Sequence, residues 1–225
     1  MTLVVIAAGA LLELARVCYL ASQTTPEDAQ FMKFALIALS LIIATNNAVA
    51  ADKILPHQQV VVETTEGSFT LELVLGEAPH TVEHFVGLVD AGFYDGLIFH
   101  RVIGEFMVQG GGYTPGFKLK EDEQKIINES GNALSNTRGT IAMARTGDPH
   151  SANSQFFINL GDNSRLDPQK SAVGGRWGYT VFGYVVDGMD VIDKIALVRT
   201  APQGEHENAP IVPIVIKSMS RKSYD

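Results

Sequence analysis

The sequence predicts a mainly β domain, and three observations carry that prediction. Apolar and polar residues alternate over short runs, most cleanly from Ser68 to Leu75. Such runs are many and brief. Only two stretches carry a helical period, and they lie far apart in the chain. Short strands with two separated helices favour a closed antiparallel barrel plugged by the helices, although the alternation fits a sandwich equally well.

Within Ser68 to Leu75, Phe69, Leu71, Leu73 and Leu75 fall on one face and Ser68, Thr70 and Glu72 on the other, as in a half-buried strand. Val60 to Thr65 is its expected hairpin partner, with Glu66-Gly67 in the turn. The first helix begins near Pro79, places Val82, Phe85, Val86 and Val89 on one stripe, and ends at Gly92. A hairpin follows from Leu97 to Gly110. Tyr113 to Arg138, rich in Gly, Pro, Lys, Glu and Asn, reads as a long ordered loop because strands resume directly after it. Thr140–Ala144, Gln155–Leu160 and Val181–Val186 are short strands. Asp187 is expected to cap a second helix with Met189, Ile192 and Ile195 inward, and Ile211 to Met219 is the last strand. No internal repeat is present.

Two apolar stretches precede this domain. Lys33, the apolar run from Phe34 to Ala44 and the A-x-A end Ala48-Val49-Ala50 have the layout of a secretory signal peptide. That run is shorter than the roughly 20 residues a bilayer needs. The expected organisation is a doubtful extension at 1–31, a signal peptide at 32–50, a linker at 51–59, the domain at 60–220 and a tail at 221–225. Met32 is then the expected start. The protein would be periplasmic or secreted, or membrane-anchored if the N-terminal segment is retained. Cys18 is the single cysteine, so the processed chain would hold none, which suits an oxidising compartment. A net charge of −8 argues against nucleic acid as a partner.

The chemistry concentrates in Phe99 to Gly112. If the apolar runs on either side of Gly104 fold back as paired strands, Arg101, Phe106, Met107 and Gln109 meet. A cationic fork would then stand beside an apolar slot, with an amide to steady it. That stretch resembles the cyclophilin motif F-H-R-V-I-x-x-F-M-x-Q-G-G at every specified position. Thr137 to Arg145, Ser154 to Asn159, Leu166-Asp167 and Val181-Phe182-Gly183 are similar to further family blocks, so the likeness spans Val60 to Ser220. The form N-T-R-G-T-I-A-M-A-R and Trp177-Gly178-Tyr179 resemble bacterial members.

The resemblance implies a closed eight-stranded antiparallel barrel with a helix over each end, and peptidyl-prolyl cis-trans isomerase activity on proline-containing peptides and on unfolded or folding proteins. It implies that Arg101 is catalytic with Gln109 and Phe106, and that Met107, Phe157 and Leu166 line a slot for the proline ring with Phe106. Tyr179 would close the rim and Gln155 would help to steady Arg101. Ala144 and Arg145 would bind substrate through backbone groups, leaving the Arg145 side chain without a necessary task. A monomer is expected. One position departs: Arg165 stands where members usually carry an aromatic residue, which implies a weaker groove wall and puts cyclosporin sensitivity in question. A peptide-binding module with little turnover is the rival reading.

The reaction needs no nucleophile, general base, metal or cofactor. His80 and His84 share a helix face but lack a third ligand, and are read as a solvated face. The Gly110–Gly112 run lacks the Lys-Ser/Thr of a phosphate loop, Asn128-Glu129-Ser130 is a glycosylation sequon by pattern only, and His150 near Ser151 and Ser154 lacks a nucleophile elbow.

Overall fold

The computed structural model describes residues 57–169 and 175–222. The extension at 1–31, the signal peptide at 32–50, most of the linker and the last three residues of the tail lie outside the described residues. The elements in chain order are β1 (His57–Thr64), β2 (Ser68–Val74), helix α1 (Pro79–Asp90), β3 (Ile98–Ile103), β4 (Met107–Tyr113), β5 (Thr140–Met143), β6 (Phe156–Asn159), a 3-10 turn (Ser164–Leu166), β7 (Val181–Asp187), α2 (Met189–Ala196), β8 (Thr200–Gln203), β9 (His206–Pro210) and β10 (Ile214–Arg221). Eight strands close a barrel in the order β1-β10-β3-β4-β6-β5-β7-β2, with every neighbour antiparallel, and β8-β9 form a separate hairpin. The barrel resolves the alternative that alternation left open.

β1 begins at His57, inside the expected linker. Gln58 and Gln59 pair with Leu73 and Glu72, and the Gln59 amide donates to the Glu72 carboxylate at 3.2 Å. A polar strand end bonded this way leaves no apolar pattern to read. The β1–β2 turn is closed by Thr64, whose hydroxyl donates to the Gly67 carbonyl at 2.7 Å and accepts from the Glu66 amide.

The inward residues Val60, Val62, Phe69, Leu71, Leu73, Phe99, Val108, Ile141, Phe156, Ile158, Phe182 and Ile216 fill the barrel and are essentially inaccessible. Their alternation with outward residues follows from the pleat. The helices close this core at opposite ends of β2. Helix α1 follows its C-terminal end and inserts Phe85 between Tyr94, Phe156 and Phe182, with ring centroids 5.3, 5.8 and 5.1 Å away. Ala78 offers no side-chain cap. Instead the Glu129 carboxylate, far along the chain, accepts from the amides of His80 and Thr81 and from the Thr81 hydroxyl, which satisfies the free N–H groups of the first turn.

Helix α2 covers the other end, where Val191 lies against Gly67 of the β1–β2 turn. Ile192 and Ile195 are buried as expected. Asp187 is not its cap: it ends β7, and Gly188 caps the helix with φ of +77°. A Cβ there would come within 2.6 Å of the Ser68 carbonyl, so the tight strand-to-helix corner requires glycine. The last strand begins at Ile214, three residues later than expected, directly after Pro213, which has no amide to donate to a ladder.

The segment between β4 and β5 is an ordered loop, tied down by isolated bridges Tyr113–Leu119 and Ile126–Ala152. His84, expected on a solvated face, is instead an anchor for it: its side chain is 6% exposed, and Nε2 lies 2.8 Å from the Asn153 carbonyl and 3.4 Å from Asp122. Asn128 is also occupied internally, donating its amide to the carbonyls of Pro149 and Gly178. Among the described residues, no helix is long and apolar enough to cross a membrane.

Candidate active site

The β3–β4 hairpin folds as the motif requires. Arg101 pairs with Gln109 and Ile103 with Met107 across the turn, so the side chains of Arg101, Ile103, Met107 and Gln109 share the outer face while Val102 and Val108 point into the barrel. Across the next seam Gln109 faces Phe157 of β6, which faces Ala142 of β5, which faces Val181 of β7. Four neighbouring strands therefore present one outer apolar floor, Met107, Ala142, Phe157 and Val181, flanked by Phe106, Leu134, Leu166 and Tyr179.

Over this floor lies a cavity of about 210 Å³ lined by Arg101, Phe106, Met107, Gln109, Ala144, Arg145, Phe157, Leu166 and Tyr179. Nine of the ten residues singled out from the sequence thus meet at one opening. Gln155 lies behind it. The Arg101 guanidinium donates to the Gln109 carbonyl at 3.3 Å, and the Gln109 amide donates to the Gln155 carbonyl at 3.1 Å. This relay fixes the fork from behind. It depends on Gly112, because a Cβ there would meet the Gln155 side chain at 2.6 Å. Arg101 lines the cavity and has no carboxylate partner among the described residues.

His100, next to Arg101, points the other way. It is buried against Tyr113 and His206, with ring centroids 4.7 and 5.7 Å distant. Burial, helped by the neighbouring His206 and Arg101 charges and opposed by a backbone bond to Ile98, holds its pKa down at about 3. The ring is neutral and faces away from the slot.

A family model described as "Cyclophilin type peptidyl-prolyl cis-trans isomerase/CLD" matches residues 59–221. This chain belongs to that family. Over 159 residues it is 50% identical to "Peptidyl-prolyl cis-trans isomerase cyp18" of Streptomyces antibioticus, covering 71% of this chain and 95% of that protein. It is 48% identical over 161 residues to "Peptidyl-prolyl cis-trans isomerase B" of Escherichia coli K12, covering 72% and 98%. Among solved structures, a Cryptosporidium parvum cyclophilin type peptidyl-prolyl cis-trans isomerase superposes with a TM-score of 0.61 at 26% identity, covering 75% of this chain and 99% of that one. The same parasite protein has been solved in the presence of the dipeptide Ala-Pro. The barrel, its two helices and the isomerase activity are those of a cyclophilin.

In this cyclophilin the Arg145 side chain has a task that its sequence position does not suggest. Its Nε and Nη2 donate to the carbonyls of Gly178 and Trp177 at 3.1 and 2.8 Å, Nη1 donates to that of Thr146, and the guanidinium lies 4.6 Å above the Tyr179 ring. It clamps the rim to the strand end. Backbone binding at Ala144 is limited to its carbonyl, because its N–H is bonded to the Gln155 carbonyl at 2.9 Å.

A buried polar cluster below the slot also carries positioning residues. The Asn163 amide donates to the Phe106 carbonyl at 2.8 Å and to Asn159, and the Asn159 amide donates to Asn136 and Thr140. Asn136 donates twice to one carboxylate oxygen of Asp167, while Ser135 donates to the other. Burial alone would raise the Asp167 pKa. The bonds from Ser135 and Asn136 outweigh it, aided by the Arg176 charge, and the carboxyl sits below its ordinary range. Leu166 and Phe106 are thereby held from beneath. Asn136, Thr140, Asn159 and Asp167 all lie in stretches that resemble family blocks, but the sequence shows them as polar letters in or beside strands and gives no sign that they bond to one another.

Arg165 replaces the usual aromatic wall with a cation laid over Phe106, its guanidinium 4.6 Å from the ring centroid. This exposed guanidinium backs a lining residue and is not itself part of the cavity lining.

Proposed function

We propose that this isomerase accelerates rotation about X-Pro bonds at the Arg101 slot and that its clients are proteins folding outside the cytoplasm. The observation that carries the first part is the fixed Arg101 fork, held through Gln109 and Gln155, over a floor of Phe106, Met107, Phe157 and Leu166. The Ala-Pro dipeptide present with the parasite relative has the chemistry such a slot would take.

The planar X-Pro amide is held by resonance and exchanges in tens to hundreds of seconds unaided. Twisting it localises a lone pair on the prolyl nitrogen. A guanidinium N–H aimed at that nitrogen binds the twisted state better than either planar state, and a low-dielectric floor strengthens the bond. The proline ring is gripped by the floor while the chain before it turns. No proton is transferred. A protease-coupled assay on a short Ala-Pro peptide tests the reading: turnover should be seen, and Arg101→Lys should lose most of it because a point charge on a flexible stem does not reproduce the fork.

The extracytoplasmic role rests on the Phe34–Ala44 run, the Ala48-Val49-Ala50 end and the absence of cysteine after Cys18. Mass spectrometry of the native protein should find an N-terminus near Ala51. A membrane-retained form carrying Leu3 to Ala44 would overturn the cleavage and leave the anchored alternative.

A further inference from the structure

We propose that the site favours X-Pro segments with an acidic side chain next to the proline, and that Arg165 sets this preference. The inference rests on the isomerase reading of the slot and adds a substrate class to it.

Two guanidinium groups line the cavity, those of Arg101 and Arg145, and a third, that of Arg165, lies over the ring of the lining residue Phe106. The chain as a whole carries a charge of −8. The ion pairs of the described residues, His84–Asp122, Arg138–Asp193, Lys194–Glu66 and Arg221–Asp90, all lie elsewhere, so none of these three is paired with a carboxylate of the described residues. The slot is therefore a local cationic site on an anionic protein.

The three cations differ in what they can still bind. Arg145 has spent its donors on the carbonyls of Thr146, Trp177 and Gly178, so it contributes field but few free N–H groups. Arg101 donates to Gln109 and, on the isomerase reading, serves the prolyl nitrogen. Arg165 makes no hydrogen bond from its guanidinium to any described residue. Its planar face rests on Phe106, which leaves its N–H edge to donate to a carboxylate in the two-pronged manner that arginine provides.

Its backbone is also fixed. Leu166 donates to the Asn163 carbonyl at 2.8 Å, the Arg176 guanidinium donates to the Arg165 carbonyl, and Asp167 is locked by Ser135 and Asn136. A free donor edge held beside the ring that grips proline reaches a side chain one residue away. A lysine brought there meets three like charges instead.

The test is kcat/KM on short peptides that carry Glu, Ala or Lys immediately before or after one proline, measured at low and at high ionic strength. The ratio of Glu to Lys is taken within each enzyme, so a general loss of activity in a variant cancels. At low salt the native enzyme should prefer Glu over Lys about fivefold or more at one of the two positions, and high salt should shrink that ratio. Arg165→Gln should lower the ratio by at least half, and Arg165→Glu should invert it. Ratios near one at both positions in the native enzyme, or a preference unchanged in Arg165→Gln, would overturn the inference. Failure of every peptide, Ala-Pro included, would instead sink the isomerase assignment of the slot.

Discussion

The inner and outer faces of β4, β5 and β6 use the same residue types for opposite ends. On β6, Phe156 points inward and is inaccessible, packed edge-on to Phe85, Tyr94 and Phe99. Its neighbour Phe157 points outward, 5.6 Å from Tyr179, and forms the floor of the slot. The inner phenylalanine is surrounded on all sides, the outer one only up to the cavity. On β6 the two phenylalanines are core and site according to their parity in the strand, which the pleat sets.

Substituting each face in turn separates the two roles. Phe156→Ala should cost about 3–5 kcal/mol of stability, read from urea unfolding, because the barrel interior cannot collapse around the gap. Phe157→Ala should cost less stability and more turnover; equal stability losses in the two variants would show that the outer floor is simply more core. Next in size, Arg101→Ala should lower kcat/KM by about 10²–10³, as expected for loss of one preorganised donor, while proline-peptide binding weakens far less. If KM rose and kcat held, Arg101 would be a binding residue only.

His100 sharpens the contrast at a smaller scale, since it backs the same strand that presents Arg101. Its folded pKa of about 3 lies below the ordinary 6.5. The unfolded chain therefore takes up a proton near pH 6.5 that the folded chain refuses until about pH 3. Stability is complete above the upper value and falls as pH drops through this window, by up to about 1.4 kcal/mol per pH unit. Between pH 6.5 and 4.5, before most carboxylates titrate, His100→Leu should flatten that slope; an unchanged slope would place the acid sensitivity elsewhere. The smallest expected effect is on rate. Because the proposed mechanism moves no proton and His100 faces away from the slot, kcat/KM should stay nearly flat from about pH 6 to 8.5, whereas an acid–base enzyme gives a bell. A tenfold fall near pH 6.5 in a folded enzyme would bring a histidine into the mechanism.

The meeting of Arg101, Met107 and Gln109 was legible because alternation and the Gly104 turn together fix which side chains of β3 and β4 meet, whereas Phe157 was reached only through the family resemblance and Ala142 and Val181 not at all. The β8–β9 hairpin was not: Thr200–Gln203 and His206–Pro210 alternate nothing apolar and contain two prolines, so they carry no strand pattern. The Arg145 clamp was equally hidden, because its partners are carbonyl oxygens of Thr146, Trp177 and Gly178, which every residue type possesses. The asparagine cluster escaped for a related reason. Asn136 and Asn159 are fully buried, but burial of a polar residue becomes visible only once its partners from other strands are in place.

The closed barrel also bears on what happens after turnover. A chain that has not yet folded carries unpaired strands looking for an edge, and an open sheet would offer them one. Here each of the eight barrel strands has both neighbours, so a visiting segment finds no ladder to extend. The separate β8–β9 pair is blunted by Pro202 and Pro210, which cannot donate to a third strand. A catalyst built this way offers a bound peptide one slot and a few side chains to hold, and no strand edge of the barrel to add to.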